Sequence, residues 1–402
     1  MRDVLRGIKV LEVAQWWLAP SAATLLAEWG ADVVKVEHPV HGDAIRGLAT
    51  SGALPGDSDF NFMLEQSNHG KRSIGLDIAT PRGREILDCL VHTADVFVTN
   101  FLPSARQRLR IDVDDVRAVN PQIIYARAHG AGDRGPERDR GGFDAASFWA
   151  RGSVAHQLTP AEARSPVVPR PSFGDGIGGM SLAGAIAAAL FGRERHGEPS
   201  VIDVSLLGAA VWVMSPDVVA AGVIPGGLPS VGREAQANPI SNTYRTADGR
   251  WIWLVMLQSD RHWPELCERL GRAELVHDER FATAKARAAN LSACMAELEG
   301  TFASRPLDEW RERLAGIDGV WAPVQTPSEI FDDPQVRANG YVSEVDYGAR
   351  THRLVVGPSQ FDGQPPELTP APAVGQHTDD ILSDIGLDWD AIIELKVAGV
   401  VT

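Results

Sequence analysis

A single carboxylate, Asp175, stands between glycines in the run RPSFGDGIGGMSLAGAIAAAL, residues 170–190. Three chemistries suit an acid so placed. Gly174, Gly176 and Gly179 have the G-x-G-x-x-G spacing of a dinucleotide loop. Aspartate is also among the best helix N-caps, because its carboxylate accepts from the free N–H groups of the first turn. Those N–H groups and the positive helix end would keep the acid ionised, and flanking glycines leave a substrate room to approach, as a carboxylate nucleophile requires. The dinucleotide reading is weak: it needs a strand directly before the glycines and an acid about 20 residues beyond. Here Pro169 and Pro171 spoil a central strand, and the next acid in a strand-like run, Asp203, is too distant. Cap and nucleophile are compatible, and the residues alone leave both open.

Other reactive groups offer less. Ser172, Ser181 and Ser205 lack a G-x-S-x-G setting, and the 11 histidines show no H-E-x-x-H or comparable ligand spacing, so neither a serine hydrolase nor a metal site is expected. Cys89, Cys267 and Cys294 lie far apart with no C-x-x-C pair; they suit a reducing cytoplasm and read as small core residues. Asp144 and Asp217 are candidates for a second acid, although scattered acids on helices are more often solvated or capping groups.

The elements that must carry these residues follow from apolar periodicity. Ile8 to Val13, a helical run after Pro20 closed by Gly30, and Val33 to Glu37 read as a βαβ unit, which favours a parallel sheet. The pattern resumes with a helix over Thr80–Thr93, a strand over Asp95–Thr99, a short helix over Ser104–Leu109 and the strand-like QIIYARA. After the charged, glycine-rich loop Ala131–Gly142, a helical pattern starts near Phe143. Met180 to Arg193 is small and apolar on nearly all sides and predicts a helix buried all round. A Gly/Pro connector over Ile224–Asn238 suits a domain boundary. Beyond it, a hairpin around Ala247-Asp248-Gly249 and amphipathic helices near Trp263, Ala293 and Trp310 read as a smaller α+β domain. From Pro327 the chain reads as loop-rich, with final helices after Asp379 and Asp388.

The totals bound the function. A chain of 402 residues with 44% apolar and 23% charged residues is soluble, globular and long enough for two domains. Its 53 acidic against 38 basic residues give a net charge of -15, which repels phosphate backbones and anionic lipid, so no nucleic-acid or membrane partner is expected. The most membrane-like window, Leu206–Val223, is broken by Pro216 and Asp217, and the amino terminus has no signal-like segment, so a cytoplasmic location is expected.

Six ordered blocks carry a resemblance over essentially the whole length: LRGIKVLEVAQWWLAPSAATLLAEWGADVVKVEHPVHGDAIRG, NHGKRSIGLDIATPRGREIL, DVFVTNFLPSARQRLRID, the GDGIGG loop, TADGRWIWL and GQHTDDIL. The chain resembles the class III CoA-transferases, the CaiB/BaiF family, which includes formyl-CoA transferase. The resemblance implies an α/β fold: a Rossmann-like large domain built from both chain ends (1–224 and 331–402), a smaller α+β domain (225–330), and a homodimer of interlocked rings. It implies that CoA moves from an acyl-CoA thioester to a carboxylic acid, with acyl-aspartyl anhydride and aspartyl-CoA intermediates on Asp175. Asp144 would support it, and the backbone of Gly174, Gly176, Gly178 and Gly179 would stabilise oxyanions. No metal and no permanently bound cofactor is implied; the CoA thioester is substrate.

The resemblance also implies a CoA site lined by Trp17, Leu18, His38, Leu76, Asn100, Phe101 and Arg108. Read without it, Leu76 and Phe101 are equally core residues and Arg108 a surface charge. His38 stands where many relatives carry arginine, which replaces a fixed cation with a titrating one. Trp16 and Trp17 replace smaller or polar residues and point to a bulky apolar acyl group, or serve as packing. Family racemases use a histidine where this chain has Phe143 and a glutamate where it has Gln258, and neither replacement moves a proton. An isomerase and a non-catalytic CoA-binding protein are the alternatives.

Overall fold

Runs rich in valine and isoleucine form six parallel strands: β1 (Lys9–Val13), β2 (Asp32–Glu37), β3 (Arg72–Gly75), β4 (Val96–Thr99), β5 (Ile124–His129) and β6 (Val201–Ser205). They lie in the order β3-β2-β1-β4-β5-β6. This is the order of a doubly wound dinucleotide-binding sheet, with its topological switch between β1 and β4. The computed structural model describes residues 3–51, 60–160, 162–228 and 232–402.

Alternation along the strands sends side chains to two cores. Val10, Val96, Val98, Ile124 and Ala126 pack on one face against the helices Leu18–Glu28 and Phe173–His196. On the other face, Leu11, Val34, Phe97 and Tyr125 pack against the helices Pro81–Thr93, Thr378–Asp384 and Trp389–Val397. The carboxyl end of the chain is stitched to β3: Leu76 bridges Val401, and the Gly75 N–H donates to Thr378 Oγ1 at 3.1 Å. All six strands of this sheet come from the first 205 residues, and the carboxyl-terminal segment adds helices and a separate antiparallel pair, β10 (Val342–Asp346) with β11 (Thr351–Val355). That pair is a correction to the loop-rich reading of this stretch.

The chain divides into two compact units. The larger comprises Met1–His156, Pro166–Leu228 and Pro334–Thr402, and the smaller Gln157–Ser165 and Pro229–Asp333. The smaller unit has a three-stranded antiparallel sheet of β7 (Thr243–Arg245), β8 (Trp251–Val255) and β9 (Val320–Pro323). Its core holds Trp263, Phe302 and Trp310, from three of its helices.

The helix that carries Asp175 differs most from expectation. It spans Phe173–His196 and so reaches back through the glycines to before Asp175. It is not buried all round: Leu182, Ala183, Ile186 and Leu190 are buried, whereas Met180 and Phe191 are 44% and 66% exposed. By length and composition it could cross a bilayer, yet one face belongs to the core.

Candidate active site

The helix Phe173–His196 lies close against Leu18–Glu28 because its glycines present no side chain there. A Cβ on Gly178 would sit 2.5 Å from Leu18 Cδ1, and one on Gly179 would sit 2.1 Å from Ser21 Oγ. The residue before the helix, Ser172, has left-handed backbone (φ 59°) and its side chain caps nothing. The cap comes from elsewhere in the chain: Asp144 Oδ2 accepts the Gly174 N–H at 2.9 Å, and the Phe173 and Asp175 N–H groups add to its stabilisation. Asp175, in the first turn, is therefore not the N-cap, and its carboxylate is free of that duty.

Burial pushes the Asp175 carboxyl up to about 7, the nearby Asp144 carboxylate adds to the shift, and a hydrogen bond with the Ser172 side chain opposes it. Asp144 is also raised, by burial, against the pull of the three helix N–H groups. Its Oδ1 is buried without a hydrogen-bond partner among the described residues. Two carboxyls that share one low-dielectric site disfavour double ionisation, a common arrangement where an acid does chemistry.

Asp175 and Asp144 line one cavity of about 400 Å³, with Trp16, Trp17, Ile45, Leu48, Met63 and Phe143 as apolar walls and Arg170 as the cation. The Trp16 and Phe143 rings meet edge to face, with centroids 5.4 Å apart. Asp217, on the helix Ser215–Ala221, does not line it. A second cavity of about 310 Å³ lies at the carboxyl ends of β1, β2 and β4 and is lined by Val13, Gln15, His38, Leu76, Phe101 and Arg108. This is the switch point, where sheets of this order receive ligands. Beside it, the Gln15 N–H donates to Asn100 Oδ1 at 3.0 Å and Asn100 Nδ2 donates to the Gln15 carbonyl at 2.6 Å. A third cavity, about 990 Å³ with Lys9, Asp32 and Cys89 on its wall, lies at the amino ends of β1 and β2. It holds none of the expected residues and opens at the wrong edge of the sheet for this topology.

The structure thus gathers His38, Leu76, Phe101 and Arg108 in one cavity, and gives Asn100 the role of clamping the loop beside it. Two other expected CoA contacts do not line this cavity. Trp17 lines the Asp175 cavity, and the Leu18 side chain is buried against Gly178, because the chain turns into a helix at Leu18. The glycine backbone also differs from expectation, since the Gly174 N–H is taken by Asp144 and the Gly176 N–H by the Ser172 carbonyl at 2.9 Å. His38 Nδ1 accepts from the Val40 N–H at 3.1 Å, and its ring stacks on His41. Cys267 and Cys294 are buried as expected, but Cys89 is exposed rather than core. Sequence reasoning missed Asp43 and Lys35. Asp43 is buried, and its Oδ1 accepts the Trp16 N–H at 2.9 Å. The signal that could have found it is the charged pair spaced along EHPVHGD after a strand.

The model for CoA-transferase family III matches residues 5–378. The chain is 32% identical over 400 residues to an (R)-2-hydroxy-4-methylpentanoate CoA-transferase of Clostridioides difficile, covering 99% of each. It is 29% identical to a cinnamoyl-CoA:phenyllactate CoA-transferase of Clostridium sporogenes, covering 98% of this chain and 96% of that one. A CAIB/BAIF family protein from Brucella suis shares the fold with a TM-score of 0.83 and 30% identity, over 96% of this chain and 100% of the other. A doubly wound sheet with a cavity at its switch point, a carboxylate cavity beside it and likeness along nearly the full length lead to one assignment: the chain belongs to CoA-transferase family III.

Proposed function

We propose that this chain transfers CoA from an acyl-CoA thioester to a carboxylic acid, with Asp175 as the nucleophile. An Asp175 oxygen attacks the thioester carbonyl, the C–S bond breaks, and CoA thiolate leaves a mixed anhydride. The thiolate then attacks the Asp175 acyl carbon, its bond to the donor carboxylate breaks, and an aspartyl-CoA thioester remains. The acceptor carboxylate repeats these steps in reverse. The observation that carries the reading is that Asp144, not Asp175, caps the Phe173–His196 helix, which leaves the Asp175 carboxylate on a cavity wall. Division of the exchange into covalent steps needs no proton transfer to carbon, and Phe143 in the position of a racemase histidine leaves none available.

The His38–Arg108 cavity is read as the CoA side and the Asp175 cavity as the acyl side. The apolar walls of the latter favour an acid with a bulky branched or aromatic side chain, the kind named in the two curated relatives above. We further read the protein as a homodimer, supported by exposed apolar residues such as Trp212 and Val219, and as cytoplasmic, supported by free cysteines. The test is chemical. Incubation with acyl-CoA followed by hydroxylamine or borohydride should alter the mass of the Asp175 peptide, and Asp175→Ala should abolish exchange of labelled CoA between acids. Full exchange by Asp175→Ala would refute the reading.

A further inference from the structure

Trp16 has left-handed backbone, φ 68°, a conformation that is unfavourable for a bulky residue and persists only where the surroundings hold it. Three fastenings hold it here. The Trp16 N–H donates to Asp43 Oδ1, and the preceding residue, Gln15, is clamped through both its N–H and its carbonyl by Asn100. Lys35 Nζ adds a hydrogen bond to the Ala14 carbonyl at 3.1 Å and an ion pair to Asp43 Oδ2 at 2.7 Å. Asp43 is itself fixed: Oδ1 also accepts the Ile45 N–H at 3.0 Å, and its own N–H donates to Glu37 Oε1 at 3.0 Å.

The geometric result is a division. Val13 to Gln15 face the cavity with His38 and Arg108, and after the left-handed turn Trp16 and Trp17 face the cavity with Asp175. The Trp16 indole stands against Phe143, the neighbour of the acid that caps the Asp175 helix.

We propose that Asp43 is a positioning residue for acyl selection: through the Trp16 N–H, and with Asn100 at Gln15, it sets the Trp16 indole as the wall that limits the length of the acyl chain. This rests on the reading of the Asp175 cavity as the acyl side. Loss of the latch lets Trp16 relax towards ordinary backbone, and the wall moves with it.

The experiment reads binding, so it does not depend on turnover. Unreactive S-alkyl-CoA thioethers with 4-methylpentyl and dodecyl tails are titrated into the full-length wild type, Trp16→Gly, Asp43→Ala, Asp43→Asn and the Trp16→Gly/Asp43→Ala double variant. Trp16→Gly should shift the affinity ratio at least tenfold towards the dodecyl tail, and Asp43→Ala should shift it the same way. The double variant should add nothing further, since both changes act on one wall. Asp43→Asn, which keeps an oxygen for the Trp16 N–H, should restore the wild-type ratio. If Asp43→Ala weakens both tails equally, or if the two changes add, the proposal is overturned. Should Asp43→Ala fail to fold, Asn100→Ala takes its place, and an unmoved ratio there overturns the proposal too. Failure of the transferase reading would look different: the wild type would form no Asp175 adduct, whatever the tail-length ratio.

Discussion

An aspartate whose carboxyl is pushed up to about 7 by burial and by Asp144 is only partly ionised at neutral pH. Only the ionised form attacks, so kcat/KM should climb as pH rises and level off above about 7. Asp144→Asn keeps an oxygen for the Gly174 N–H but removes the like charge, so the midpoint of the profile should move down. A flat profile from about pH 5.5 to 8.5 would mean that ionisation of Asp175 does not limit the reaction. The same shift has a consequence for stability. Between the unfolded value of 3.8 and the folded value of about 7, the folded chain binds the proton that the unfolded chain releases. Stability attributable to Asp175 therefore falls as pH rises through that window, by at most about 4 kcal/mol at about 1.4 kcal/mol per unit. Asp175→Asn should remove the loss, with a higher Tm than wild type at pH 8 and a smaller difference at pH 4. An equal Tm at pH 8 would place the acid in a wetter setting.

Among the elements, the start of the Phe173–His196 helix gives the sharpest contrast. A Cβ on Gly174 would lie 2.3 Å from a ring carbon of Phe148 and 2.4 Å from Asp144 Oδ1, whereas one on Gly176 meets nothing within 4 Å. Gly174→Ala should cost about 1–3 kcal/mol through overpacking and disturb the Asp144 cap. Gly176→Ala should be neutral or gain up to about 1 kcal/mol from helix propensity. Thermal melts of the two variants separate a close packing contact from a merely permissive glycine, and equal Tm values would dismiss the contact. The same helix shows why part of the site was hidden in the sequence. Its cap, Asp144, is far from Gly174 along the chain, whereas capping patterns are sought within one turn. Strands β1, β2, β4 and β5 were legible because each is, or directly follows, a short run dominated by valine, isoleucine and other apolar residues. The four-residue β3 begins on a charge, and β10–β11, VSEVD and THRLV, breaks its apolar residues up with acids, arginine and histidine, so neither carries a periodic signal. The catalytic candidate Asp175 stood out by its glycines. Leu76, Phe101 and Arg108 look like ordinary core or surface residues until the sheet order brings them to one switch point, and the Leu18 side chain lies outside that cavity because a helix begins at that residue and turns it inward.

For the whole molecule, the question is what covers the apolar surface of the larger unit. On the helices Leu206–Val213 and Ser215–Ala221, Trp212 is 79% exposed and Val219 67%, and Val223 just beyond is 77%. Monomeric proteins rarely leave clustered large hydrophobes in water, and a stable interface needs only about 800 Å² from each partner. The 43.3 kDa chain should therefore scatter as a particle of twice its mass. A buried tryptophan is a common anchor worth about 2 kcal/mol or more, so Trp212→Glu should weaken association at least about thirtyfold. Assembly and chemistry should be coupled, because Met180 and Phe191 extend the exposed apolar surface onto the very helix whose first turn carries Asp175. Dilution of Trp212→Glu to the point of dissociation should then lower CoA exchange per chain, with recovery at high concentration. A wild-type particle of 43.3 kDa by light scattering, or a dissociated variant with full activity per chain, would remove the second copy from the account.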